Sequence, residues 1–253
     1  MSLQAIPLPV TPEGISHEMA EIEAELARRS NLSFTTYTNP DFEVNWHHKL
    51  VASKLDDVLD GRIRRLMIFE PPQNGKTEQV SRRFPAYVYG RFPDKRIVAA
   101  SYGSTLAQDN SRDVQKIMSA REYARLFPAT RLAGSRDVEK RTQGQFEIVG
   151  RKGKYIAAGI EGAFTGKSAD IGIIDDPFKN REEAESEVYR DRAWEFYKSA
   201  FMTRQFGSEG VIILCMTRWH EDDLAGRLLR LAQENPDADQ WHVLTLPALC
   251  DGI

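Results

Sequence analysis

Two cysteines in 253 residues are too few for a disulfide framework, and neither sits in a pattern that binds metal: Cys215 lies inside a strand-like run and Cys250 near the C-terminus. Long hydrophobic runs are missing too. The longest unbroken apolar stretch, Val211 to Met216, falls far short of the ~20 residues a membrane-spanning helix needs. No basic segment precedes an apolar core at the N-terminus, which excludes a secretory signal there. Nor is there an excess of positive charge. Lys and Arg number 34 against 37 Asp and Glu, a net charge of −3, which argues against a protein that coats nucleic acid while leaving local contact open. These absences read as a soluble intracellular protein without membrane association. At 41% hydrophobic content, the chain can bury one large core, with or without a small appendage. Residues 1 to 14 carry Pro7, Pro9, Pro12 and Gly14 with little apolar periodicity and are expected to form a flexible leader.

Against this background one segment stands out, residues 65 to 77, RLMIFEPPQNGKT. Leu66 to Phe69 read as a buried strand, and Glu78 to Tyr89 fit the helix that follows. Gly75-Lys76-Thr77 lies between them. Phosphate binding needs inward-facing backbone amides, a long cation, a hydroxyl for Mg²⁺ and the positive end of a helix dipole. Gly75, Lys76 and Thr77 supply the last turn of that arrangement. The segment departs from G-x-x-x-x-G-K-[ST] at one place, where Glu70 replaces the first glycine. A Pro-stiffened turn with a surface lysine is the plainer reading.

Strand-like runs at 65 to 69, 96 to 101, 145 to 149, 154 to 160, 170 to 175, 210 to 217 and 242 to 246 recur between helix-like stretches. The helical stretches are 16 to 29, 45 to 59, 77 to 89, 104 to 119, 181 to 202 and 221 to 233. Such alternation predicts an α/β sandwich on a mainly parallel sheet. Phe146 to Val149 and Tyr155 to Ala158, around Gly150-Arg-Lys-Gly153, read as an added hairpin. In parallel sheets ligands collect beyond the carboxyl ends of the strands, so the residues just after each strand carry the chemistry.

Two such strand ends are rich in polar groups. Ile171 to Ile174 runs into Asp175-Asp176, where the first carboxylate can join Thr77 in a Mg²⁺ shell and the second can orient or deprotonate a water. A strand-ending turn is the alternative. After Val211 to Met216 comes Thr217-Arg-Trp-His220, with Thr217 placed to sense a γ-phosphate or simply to cap the turn. Trp46, in Trp46-His47-His48, is suited either to stacking on adenine or to packing as a helix-start core residue. Within 181 to 202, Val188, Tyr189, Ala193, Phe196, Tyr197 and Ala200 fall at helical spacing and are expected in the core. Between Arg131 and Lys154, seven basic residues (Arg131, Arg136, Lys140, Arg141, Arg151, Lys152, Lys154) outnumber three acidic ones (Asp137, Glu139, Glu147). That excess reads either as a phosphate-tracking surface or as a solvated hairpin.

From about Trp46 to Leu249 the chain resembles the ATPase half of the large terminase subunits that pack DNA into the heads of tailed bacteriophages. The resemblance rests on Trp46-His-His48, Pro71-Pro-Gln-Asn-Gly-Lys-Thr77, Thr165-Gly-Lys-Ser-Ala-Asp170, Ile173-Ile-Asp-Asp-Pro177 and Met216-Thr-Arg-Trp-His-Glu-Asp-Asp-Leu-Ala-Gly-Arg227. It implies an α/β P-loop NTPase of the additional-strand (ASCE) type, with a helical, adenine-side region at 15–60, a P-loop core at 61–249, and 250–253 opening a linker to a nuclease domain. ATP and Mg²⁺ are the implied cofactors. Pro72, Gln73, Asn74, Gly75, Lys76, Thr77, Glu78, Trp46 and His47 would hold the nucleotide, and Thr77 and Asp175 the metal. Asp176 would be the catalytic carboxylate, assisted by Lys76 and by Lys167 acting on a neighbouring subunit, with Arg141 and Arg151 as rivals for that last role. Thr217 and Arg218 would lie in the coupling motif. Implied partners are double-stranded DNA held through its phosphates, portal protein and the small terminase subunit. The motor would work in the host cytoplasm as a homo-oligomeric ring whose isolated domains are monomeric at low concentration. Relatives carry Arg-His where Gln73-Asn74 stand, often Glu at Asp176, and commonly Arg at Lys167. A helicase-like ATPase and a decayed, nucleotide-responsive assembly module are the other readings; DNA cleavage is not expected of this chain.

Overall fold

A computed structural model describes residues 12–160, 162, 169–202 and 209–247. Its strands are β1 (Arg65–Phe69), β2 (Arg96–Ser101), β3 (Gln145–Glu147), β4 (Lys154–Gly159), β5 (Ile171–Asp175), β6 (Val211–Met216) and β7 (His242–Thr245). Among the described residues they form one sheet in the order β3-β4-β2-β5-β6-β1-β7. Neighbours run parallel except β3 against β4, which is the expected hairpin. β5 and β6 are buried along their whole length, as strands covered on both faces must be, and this is why they read as continuous apolar runs rather than alternating ones.

Alternate residues of each strand feed two separate cores. Leu66, Ile68, Ile97, Ile173, Ile213 and Cys215 face one side. There they meet α1 (Pro12–Arg29), α2 (Asn31–Thr38), α3 (Trp46–Leu59), α4 (Phe84–Arg91), α5 (Ser104–Ser119) and α6 (Arg121–Leu126). Met67, Phe69, Val98, Ile174, Ile212 and Leu214 face the other. That side is covered by α7 (Arg181–Glu185), α8 (Glu187–Tyr197) and α9 (Leu224–Glu234). The result is the three-layer sandwich that alternating strands and helices call for.

Several expectations need correction. Pro12 to Gly14, expected outside any folded element, open α1, proline being tolerated in a first helical turn; residues 1 to 11 lie outside those described. The single helix expected over 181 to 202 is three pieces. Ser186 takes extended backbone, and Arg190 donates from Nη1 to the carbonyls of Ala184 (2.9 Å) and Glu185 (2.7 Å), satisfying acceptors the break would strand. Beyond α8 the chain widens into a π-helical turn, Lys198–Met202. Val188 and Tyr189, expected in the core, are exposed at 57% and 39% because that break sets the register, while Ala193, Phe196, Tyr197 and Ala200 are buried. The apolar spacing predicts neither α2 nor α6.

Candidate functional site

The loop leaving β1 curls because Gln73 and Gly75 both take left-handed backbone, with φ of 64° and 89°. Glycine is required at 75 for a second reason: a Cβ there would come within 2.9 Å of His48 Nε2. His48 is the residue that shapes this loop. Its Nδ1 accepts the Asn45 N–H at 3.0 Å, which puts the ring proton on Nε2, and Nε2 donates to the Asn74 carbonyl at 2.9 Å. Burial holds its pKa below the ordinary value, in keeping with a neutral ring. Gln79 completes the link, donating from Nε2 to the His48 carbonyl at 3.1 Å. Sequence reasoning missed this brace, because its parts are separated by 26 and 31 residues.

Lys76 and Thr77 begin the helix, which passes through a π-helical stretch, Glu78–Arg83, before α4. The Lys76 side chain is buried, and its Nζ lies 3.1 Å from Asp176 Oδ2 and donates to Thr217 Oγ1 at 3.4 Å. Burial opposes the ammonium charge, but the carboxylates, Asp176 foremost, outweigh it and hold the pKa above its usual value. Glu78 turns away from this group to pair with Arg82 (3.3 Å) and Arg83 (2.7 Å).

Asp175 ends β5 at 2% exposure. Its Oδ2 accepts from Ser81 Oγ at 2.7 Å, and the Thr77 hydroxyl is near enough to favour its ionised form. Oδ1 is buried with no hydrogen-bond partner. Burial and the adjacent Asp176 push the Asp175 pKa up to about 6 against those hydroxyls and Lys76. Asp176 is a non-glycine residue in the left-handed region, φ 46°, held there from several sides. Its N–H donates to the Cys215 carbonyl (2.9 Å), its carbonyl accepts from Tyr102 N (3.1 Å), and its Oδ1 accepts from Thr217 N (3.2 Å). Thr217 closes the circle by donating its hydroxyl to the Glu70 carbonyl at 3.1 Å. Lys76, Thr77, Asp175, Asp176 and Thr217 thus converge beyond the carboxyl ends of β1, β5 and β6.

Arg218 does not join them. It pairs with the fully buried Asp223 (Nε to Oδ2, 2.6 Å) and lies 4.9 Å over the Phe69 ring. Trp46 is half exposed, which removes the reading of a core residue. With Asn45, His47, Glu70, Pro71, Asn74, Leu246 and Pro247 it lines a cavity of about 270 Å³ beside the loop. Within it, Glu70 is buried, its Oε1 is 3.5 Å from His47 Nε2, and burial raises its pKa to about 7. At that spacing the two side chains are in contact without a hydrogen bond between them. Of the remaining cations, Arg141 is tied to Gln115 Oε1 (3.0 Å), the Ala133 carbonyl (3.1 Å) and Ser119 Oγ (3.1 Å), while Arg151 is exposed in the β3–β4 turn. Arg131 and Lys154 are paired with Asp137 and Glu147, so part of the basic excess between 131 and 154 is neutralised internally. Lys167 lies outside the described residues.

A strand carrying a Gly-Lys-Thr loop, separated from the strand ending in paired acids by one interposed strand, defines a P-loop NTPase of the additional-strand type. A family model described as "Terminase large subunit, T4likevirus-type, N-terminal" matches residues 67–250, and the chain belongs to that family. Among solved structures, the large terminase of bacteriophage HK97 superposes with a TM-score of 0.55 at 16% identity, over 84% of this chain and 41% of that one. A point mutant of the ATPase domain of the Thermus phage P74-26 large terminase gives 0.51 at 11% identity, over 81% of this chain and 82% of that one. These likenesses show the fold. No curated protein matches the chain.

Proposed function

We propose that this chain is a Mg²⁺-dependent ATPase that moves double-stranded DNA. The convergence of Lys76, Thr77, Asp175, Asp176 and Thr217 carries the reading. Gly75 to Thr77 and the following helix hold the phosphates, with Lys76 on the terminal ones. To do so, Lys76 leaves its bridge to Asp176, and the carboxylate so released orients or deprotonates the attacking water. Asp175 and Thr77 hold Mg²⁺. The orphaned, buried Oδ1 of Asp175 fits that cation, which when bound would neutralise charge developing on the phosphates. Trp46 and His47 line the cavity on the base side.

Thr217, bonded to Lys76, to Asp176 and to the loop carbonyl of Glu70, carries the state of the nucleotide into β6 and, through Arg218 and Asp223, into α9. DNA contacts are to phosphates, and the assembled form is a ring with portal protein and the small subunit, in the host cytoplasm. The cation acting on a neighbouring subunit is Lys167 or Arg151; the three partners of Arg141 argue against a reaching role for it. The test is phosphate release from Mg²⁺-ATP by the purified chain, with and without double-stranded DNA. Activity above that of Lys76→Ala is expected. Release equal to that variant overturns the reading, and stimulation by single-stranded DNA alone redirects it toward strand separation.

A further inference from the structure

Ser81 has no role in the sites described so far except through its bond to Asp175. It stands four residues after Thr77, so both hydroxyls lie on the helix face toward the end of β5. Ser81 is 1% exposed, and its Oγ donates to Asp175 Oδ2 at 2.7 Å. The two oxygens of that carboxylate are therefore unequal: Oδ2 is engaged, and Oδ1 is equally buried but has no hydrogen-bond partner. A carboxylate with neither oxygen anchored is free to rotate about its χ2 bond, which has a broad, two-fold potential. Anchoring one oxygen removes that freedom.

We infer that Ser81 is a positioning residue for cation binding: by holding Oδ2 it fixes the rotation of the Asp175 carboxylate that presents Oδ1 to Mg²⁺. This rests on the reading of Asp175 as a cation ligand. Ser81 itself need not touch the metal or the nucleotide. A ligand aligned by a second layer of hydrogen bonds loses metal affinity when that layer is cut, commonly by about 10–100-fold.

The experiment is binding of a fluorescent ATP analogue to the full chain, in EDTA and along a Mg²⁺ titration. Ser81→Ala should leave affinity in EDTA unchanged and raise the Mg²⁺ midpoint roughly tenfold. Ser81→Thr, which keeps the hydroxyl, should restore the midpoint to within about threefold of the parent. In an Asp175→Ala background, Ser81→Ala should add nothing, since the anchored group is gone. An unchanged Mg²⁺ midpoint in Ser81→Ala overturns the inference, and so does equal weakening in EDTA and in Mg²⁺, which marks a packing role. If Ser81→Ala fails to fold by circular dichroism, Ser81→Cys decides. Its weak donor should place the midpoint above the parent value, and a parental midpoint overturns the inference. A parent chain whose binding ignores Mg²⁺ would remove the metal reading itself, whereas a Mg²⁺ response that the Ser81 variants leave intact removes only the role of Ser81.

Discussion

At the scale of single residues, the two neighbouring acids have opposite environments. Asp175 is sealed in the sheet, with the Ser81 hydroxyl as partner, and Asp176 is partly exposed and ion-paired with Lys76. Asp176→Asn keeps the size and the tolerance for left-handed backbone but loses the carboxylate. ATP turnover is expected to fall by about 10²–10⁴-fold with nucleotide affinity retained, read by single-turnover hydrolysis alongside equilibrium binding. Turnover at the parental rate would strip Asp176 of its proposed part. Glu70 offers a test of a different kind. Its folded pKa is raised from 4.5 to about 7, so its contribution to stability is present below pH 4.5 and lost as pH rises through 7. Glu70→Gln imitates the protonated form. It should match the parent below pH 4.5 and exceed it at pH 8 by up to about 3 kcal/mol in urea unfolding, each tenfold change in proton affinity being worth about 1.4 kcal/mol.

At the scale of elements, α9 depends on one buried carboxylate. Asp223 caps it by accepting from Gly226 N at 2.9 Å, and the other oxygen pairs with Arg218. Asp223→Ala removes both and should cost about 2–3 kcal/mol, whereas Asp223→Asn retains the capping acceptor and should cost roughly 1 kcal/mol, measured by chemical denaturation. Much of the element order was legible because apolar strands of β1, β2, β5 and β6 alternate with helices of distinct period. α5, with its sharply two-sided sequence, matched its expected bounds of 104 to 119. α2 was not legible. Asn31–Thr38 is rich in Ser and Thr, lacks an apolar stripe, and is helical because Phe34 packs on Tyr87, Tyr123 and Phe127 from distant parts of the chain. The site was legible only where motif and strand end coincide. Gly75 to Thr77, Asp175, Asp176 and Thr217 could be found that way, while His48, Ser81 and the Glu70 side chain act through contacts whose partners are far away in sequence. Ser81 did leave a trace, a hydroxyl one helical turn beyond Thr77.

At the scale of the whole molecule, the chain covers 41% of the length of the HK97 large terminase. What the chain alone should show is DNA dependence of a particular form. If contacts are to phosphates, stimulation of ATP hydrolysis by double-stranded DNA should drop steeply between about 50 and 200 mM salt and be the same for unrelated sequences. Sequence preference, or indifference to salt, would count against a phosphate-tracking surface.

The strand order itself has a mechanical consequence. β6 is hydrogen-bonded to β1 on one side and β5 on the other, from Arg65↔Ile212 to Phe69↔Met216 and from Ile171↔Val211 to Asp175↔Cys215. The chain segments bearing Lys76 and the paired acids are therefore yoked by a common crossbar. Under the proposed function, a push from a bound triphosphate and a pull from α9 would therefore meet on one shared strand.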